Sequence, residues 1–302
     1  MLSKFIKKPT YFNWVITVIV ITTFWSCKSK NQNYIPYYNK VNEIDSVYRF
    51  QRDTLMVIKE YKKLFRKYTP KNQERIDEFE TYIKLSDKFG KNFGKRKSLL
   101  KLIPMVAPWW KYKRQESDFI GLYKKHGIDS LKIESEINHW KKNLNRKLVD
   151  SFSIAFIRDQ EQGRDNTVLR ELNDRKNEKL LRWTFENYGF PTLQKIGLLG
   201  NEDVIMSMGT LFLHMTDAQD YEYLKKKLLE YVISGDLPPM DYAGIVDRHN
   251  LQVSREKILY GYYLGASELK LDTLEINRNR KTIGMPSMKH GIKITKDFFK
   301  KK

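Results

Sequence analysis

Cysteine is nearly missing from this 302-residue chain: Cys27 is the only one. A single thiol excludes an internal disulfide framework and any cysteine-rich zinc site. Histidine is sparse as well. His126, His139, His214, His249 and His290 show no HxxxH or HExxH spacing, and no carboxylate cluster has the form of a calcium loop, so no metal site is expected. The 15 glycines never gather as GxGxxG or GxxxxGK[ST], and no serine sits in a nucleophile elbow, so no cofactor is implied. Fifteen glycines and nine prolines are too few for a collagen-like or low-complexity chain. There is, by contrast, ample material for a packed core: 41% hydrophobic residues and 13% aromatics exclude a disordered chain.

Acidic residues are the other deficit. Lys+Arg number 56 against 36 Asp+Glu, a net charge of +20. The excess is uneven. Residues 1–150 hold 32 basic and 15 acidic side chains, residues 151–288 hold 18 and 20, and the stretch from Lys289 onward holds six lysines and one aspartate. A basic first half, a near-neutral second region and a short basic tail therefore need separate interpretations.

Only one apolar run approaches membrane length. Lys4, Lys7 and Lys8 precede Tyr11–Trp25, which ends in Ser26-Cys27 and then turns polar with Lys28-Ser29-Lys30. Some 15 residues fall short of the roughly 20 that a spanning helix needs, and a charged start before a short apolar stretch is the export-signal pattern. The segment resembles a bacterial lipoprotein signal, in which cleavage precedes a lipid-modified cysteine; Cys27 holds that position and Ser26 is the small residue before it. Phe24 and Trp25 are bulkier than that pattern usually carries, so an uncleaved signal anchor is the alternative. Both place the bulk of the chain outside the cytoplasm, at a bacterial cell membrane or outer membrane.

In residues 28–147, Asn31–Lys40 reads as a tyrosine-rich linker (Tyr34, Tyr37, Tyr38) and a helix is expected from about Val41, with Val47, Phe50, Leu55, Ile58, Tyr61, Leu64 and Phe65 at helical steps. A second helix is expected over about 72–89, ending at Gly90. Leu99–Trp110, with Pro104, Pro108 and flanking lysines, suits either a membrane interface or a core-docking segment. Further helices are expected over 117–152, with Trp140, Leu144, Leu148 and Phe152 on one stripe. Lys141, Lys142, Arg146 and Lys147 then form a solvated face or, in a sharper reading, a nucleic-acid groove.

Residues 148–290 carry the more distinctive spacing. Asp159-Gln160 is followed by a long polar helix, the turn Tyr188-Gly189-Phe190-Pro191-Thr192, Ile196-Gly197, a helix expected to start at Asn201, His214 at the edge of an apolar stripe, and a helix capped by Asp217 or Asp220 and ended by Gly235. Asp247-Arg248, Tyr260-Gly261, Arg280 and Ile283-Gly284-Met285 complete the series. In this order these pieces resemble a bacterial helical family, domain of unknown function 6624, over roughly half the chain. The family tends to place polar residues where this chain has Tyr262-Tyr263. The resemblance implies a helical fold and a shortlist of polar positions; it implies no reaction.

The expected fold is mainly α, an irregular multi-helix bundle with at most a short strand or extended segment near 269–276. The expected divisions are a signal or anchor (1–27), a basic helical region (28–147), a helical domain (148–290) and a basic tail (291–302). The expected function is a membrane-anchored extracytoplasmic module that binds or scaffolds at a bacterial envelope, lipidated at Cys27. Its partners would be the membrane through the N-terminus, and anionic lipid or surface polymer through its charge. The first alternative is an envelope hydrolase in which His214, oriented by Asp159 or Asp247, acts as general base while Gln160, Arg164, Arg248 and Arg280 bind an anionic group. The same polar residues can equally tie helices together. The second alternative is nucleic-acid binding through the basic half, which the near-zero charge of the motif-bearing region disfavours.

Overall fold

The computed structural model describes residues 32–73, 75–160, 166–216, 220–253, 257–263 and 272–300. Cys27 and its apolar segment, Arg164, Asp217 and residues 269–271 lie outside them. Most of the described residues are helical, and their only bridge-type pairing is Leu199 with Ile205. The mainly α expectation holds. The extended segment does not extend to 276, because Thr273 already opens a helix: Asp272 accepts the amides of Leu274 and Glu275.

The same device starts several other helices. Asp53 caps α2 (Thr54–Lys67), Asp129 caps α6 (Ser130–Lys142), Asn145 caps α7 (Arg146–Asp159) and Asn166 caps α8 (Thr167–Asn187), each accepting a backbone N–H of the first turn. Between them come α3 (Glu78–Lys88), α4 (Lys95–Val106) and α5 (Ser117–Lys125). After α8 follow the six-residue α9 (Met208–Leu213), α10 (Tyr221–Ser234), α11 (Pro239–Gln252), α12 (Thr273–Ile283) and α13 (Met288–Phe299).

The tyrosine-rich stretch is a helix, α1 (Ile35–Ser46), and not a linker. Pro36 stands in its first turn, where the missing N–H costs nothing. Tyr34, Tyr37 and Tyr38 are buried and meet one another ring to ring, and Tyr34 and Tyr37 also meet Tyr68, at 5.4–6.3 Å. The hydroxyl of Tyr37 donates to the fully buried Glu78 at 2.6 Å. The helix expected at Asn201 starts instead at Met208; Asn201–Asp203 is a single 3₁₀ turn, held because Ser153 Oγ accepts the Asn201 amide at 2.8 Å.

For Leu99–Trp110 the core-docking alternative holds: Leu99, Leu102, Ile103, Val106, Ala107 and Trp110 are buried, while Trp109 and Tyr112 are exposed. Successive packing of α1 on α2, α2 on α3, α3 on α4 and α4 on α6 leads into α7 on α8, with α9 and α10 on α11. The circuit closes where α12 packs on α1, with Asn39 and Asn42 donating to the carbonyls of Lys281 and Gly284. One apolar cluster runs from Tyr34 to Ile294, and the compositional boundary near residue 147 does not interrupt it.

Candidate functional site

The shortlisted polar residues separate into two groups. The first lies where α7 ends and α9 ends. Asp159, the last residue of α7, has no exposed surface. His214 follows α9 directly, and its Nδ1 stands 2.8 and 2.9 Å from the two Asp159 oxygens. Gln160 donates from Nε2 to Asp159 Oδ2 at 2.6 Å. A carboxylate only accepts, so Nδ1 of His214 is the donor of this pair, and the pair leaves Nε2 unengaged by Asp159. The imidazole side chain keeps 21% of its surface exposed while the aspartate side chain keeps none. This is a histidine oriented by a buried carboxylate and partly open to solvent, an arrangement that general-base chemistry uses.

The second group does something else. Residues 257–263 form an irregular connection, buried at Ile258, Tyr260 and Gly261, whose backbone groups have no helix or sheet to pair with, and such groups must find partners. Asp247 on α11 supplies acceptors: Oδ1 takes the amides of Leu259 and Tyr260 at 2.9 and 3.0 Å, and Oδ2 takes that of Tyr262 at 2.8 Å. Arg280 on α12 supplies donors, giving Nε to the Tyr260 carbonyl at 2.7 Å, a terminal nitrogen to Gly261 at 3.3 Å and the other to Pro286 at 3.0 Å. Asp247 holds three N–H groups of this strip and Arg280 two of its carbonyls, while Asn250 and Asn279 donate to the carbonyls of Lys257 and Leu259. Burial pushes the Asp247 carboxyl up and the Arg280 guanidinium down, each partly offset by the other's charge. Asp247 therefore clasps the loop and does not orient His214, and Arg280 is committed to carbonyls and not to an anionic ligand. Arg248 donates to Gln252 one turn along α11.

Tyr262, whose amide Asp247 accepts, also packs on α11. An added Cβ at Gly244 would meet the Tyr262 ring at 3.2–3.4 Å, so the ring covers a helix face from which a side chain is missing.

Two residues near these groups escaped the sequence reading. His249 Nδ1 donates to the Thr216 carbonyl at 2.6 Å and its ring stacks on Tyr221, centroids 3.5 Å apart and planes at 9°. The buried Tyr221 hydroxyl has no hydrogen-bond partner, and burial pushes its pKa up. The position of His249 two residues after Asp247 was the available signal.

His–Asp pairing recurs elsewhere in the fold. His290 Nε2 meets Asp45 at 2.7 Å in full burial, and His126 Nε2 meets Asp87 at 2.7 Å. Both tie helices together, and both use Nε2 where His214 uses Nδ1. Among the described residues no three His, Cys, Asp or Glu side chains gather as a metal site. Two shallow hollows, one between α1 and α2 and one between α8 and α10, are lined by residues other than Asp159, His214 and Asp247. No described helix is long and apolar enough to cross a membrane. A scan against protein-family models finds no match for this chain, and neither a search of curated proteins nor one of solved structures finds any.

Proposed function

We propose that this protein is a membrane-anchored, extracytoplasmic helical module that binds or scaffolds at a bacterial cell envelope. The observation that carries the proposal is the lysine-led apolar run of Tyr11–Trp25 ending at Ser26-Cys27, where the only thiol of the chain stands at the lipid-accepting position. The tether is short: seven residues from Cys27 to Tyr34 reach at most about 25 Å when extended. The resemblance to the domain of unknown function 6624 family belongs to the same proposal. The use of Asp247 and Arg280 inside the fold supports a structural role for those marked positions over a catalytic one.

Metabolic labelling with palmitate tests the anchor. Label on the wild-type chain that disappears in Cys27→Ala supports it; label unchanged in that variant refutes lipidation at Cys27.

The His214–Asp159 pair favours a second reading, an envelope hydrolase with His214 as general base and Asp159 as its orienting partner. A turnover that falls by 10²–10⁴ in His214→Gln, with the folded state intact, would support it. Equal activity in the variant would remove it.

A further inference from the structure

The C-terminal helix α13 shows two faces with different jobs. Its inner face is fixed by buried polar contacts. His290 pairs with Asp45 of α1 at 2.7 Å, Arg49 donates to both Asp45 and Asp297 at 2.6 and 2.9 Å, and Ile294 is buried. Its outer face is a stripe of exposed residues at three- and four-residue steps: Lys289, Ile292, Lys296 and Phe299, with Lys300 beside them.

Ile292 is 50% and Phe299 61% exposed. Phe50, 44% exposed, extends the patch, with the Lys289 ammonium 5.6 Å from its ring centroid. The one acid of the helix, Asp297, is turned away to Arg49 and Lys293. The stripe thus presents lysines around large apolar side chains with no acid among them. An interfacial helix uses that combination by burying its apolar side chains at the acyl boundary and extending its lysines to headgroups.

We infer that this face docks on an anionic lipid bilayer, as a second contact beside the N-terminal anchor. The inference rests on the membrane location proposed above and names the lipid chemistry. Charge complementarity selects the partner. Each lysine at an anionic surface contributes about 1 kcal/mol, a factor of roughly five, so Lys289, Lys296 and Lys300 together favour docking about a hundredfold.

The test uses the full chain with benzoylphenylalanine replacing Phe299, reconstituted into vesicles of phosphatidylcholine alone or with about one-third phosphatidylglycerol. The expected result is a lipid photoadduct in phosphatidylglycerol vesicles that is lost at high salt. Combined Lys289→Gln, Lys296→Gln and Lys300→Gln substitutions should lower it to the neutral-vesicle level, and the three Lys→Arg substitutions should retain it. Since these side chains are exposed, unchanged unfolding midpoints would exclude misfolding as the cause.

A chain recovered with vesicles but giving no phosphatidylglycerol-dependent adduct overturns the inference and leaves the anchor standing. Equal adducts in both vesicle types overturn it too, as do adducts to an added anionic polysaccharide with none to lipid. A chain that leaves neutral vesicles yet crosslinks to anionic ones supports the inference while the anchor falls.

Discussion

Replacing Asp247 by Asn tests whether the marked polar residues hold the fold. The amide is nearly isosteric, so packing is preserved and only hydrogen bonding changes. Its oxygen can still accept from Leu259 and Tyr260, the pair now at 2.9 and 3.0 Å. Its NH2 group then faces the Tyr262 N–H, which loses an acceptor now at 2.8 Å. A part-buried backbone donor that loses this acceptor costs about 1–3 kcal/mol, and two bonds that cease to be charge-assisted weaken by roughly 1 kcal/mol each. Relief of the carboxylate's desolvation offsets part of this, since burial already pushes its pKa up. The expected net loss is about 2–4 kcal/mol, read from urea unfolding by circular dichroism. Arg280→Met should destabilise to a similar degree, and because both side chains grip the same strip the double variant should fall short of the sum by at least about 1 kcal/mol. A loss below about 1 kcal/mol for Asp247→Asn, or strict additivity with Arg280→Met, would refute the clasp.

Three further outcomes are expected. Burial pushes the Glu78 carboxyl up to about 7 from an ordinary 4.5 despite hydrogen bonds from Tyr37 and Gln73 that favour the charged form. Its stabilising effect is therefore complete below pH 4.5 and lost as pH rises through 7, a difference of about 3 kcal/mol; Glu78→Gln should remove most of that slope in unfolding midpoints measured from pH 4.5 to 8, and an unchanged slope would contradict the assignment. His214→Ala leaves the buried Asp159 without its imidazole donor and should cost about 1–3 kcal/mol by thermal unfolding; no change would mean the pair contributes nothing to the fold. Gly235 ends α10 at φ +78°, where an added Cβ would lie 2.7 Å from the Tyr34 ring, so Gly235→Ala should destabilise by more than about 1 kcal/mol, and a neutral result would count against that packing.

Much of the helical architecture was legible from periodicity. Leu224, Leu228 and Val232 read as one stripe and are the buried face of α10, with Gly235 ending it. What periodicity could not show was where aromatic and polar groups find partners far along the chain. Tyr34, Tyr37 and Tyr38 looked like linker residues because their partners, Tyr68 and Glu78, lie thirty and more positions away. Asp220 stands at the start of α10 as expected, yet its carboxylate pairs with Arg182 and leaves the cap unmade. Asn201 looked like a cap, but the Leu199–Ile205 bridge and Ser153 hold it in a turn.

The candidate site divides in the same way. Asp159 and His214 were legible as partners by residue type, since an aspartate near a histidine has an evident acid–base meaning. Asp247 and Arg280 were legible only as distinctive positions. Their role depends on an irregular strip, residues 257–263, whose need for side-chain partners becomes visible once its backbone path is known.

The proposed location is tested most directly by protease treatment of intact spheroplasts expressing the full chain, followed by detection of the chain in the membrane fraction. The account predicts that the body from Asn33 onward is digested in unbroken spheroplasts. A chain that stays intact until the membrane is lysed would contradict it.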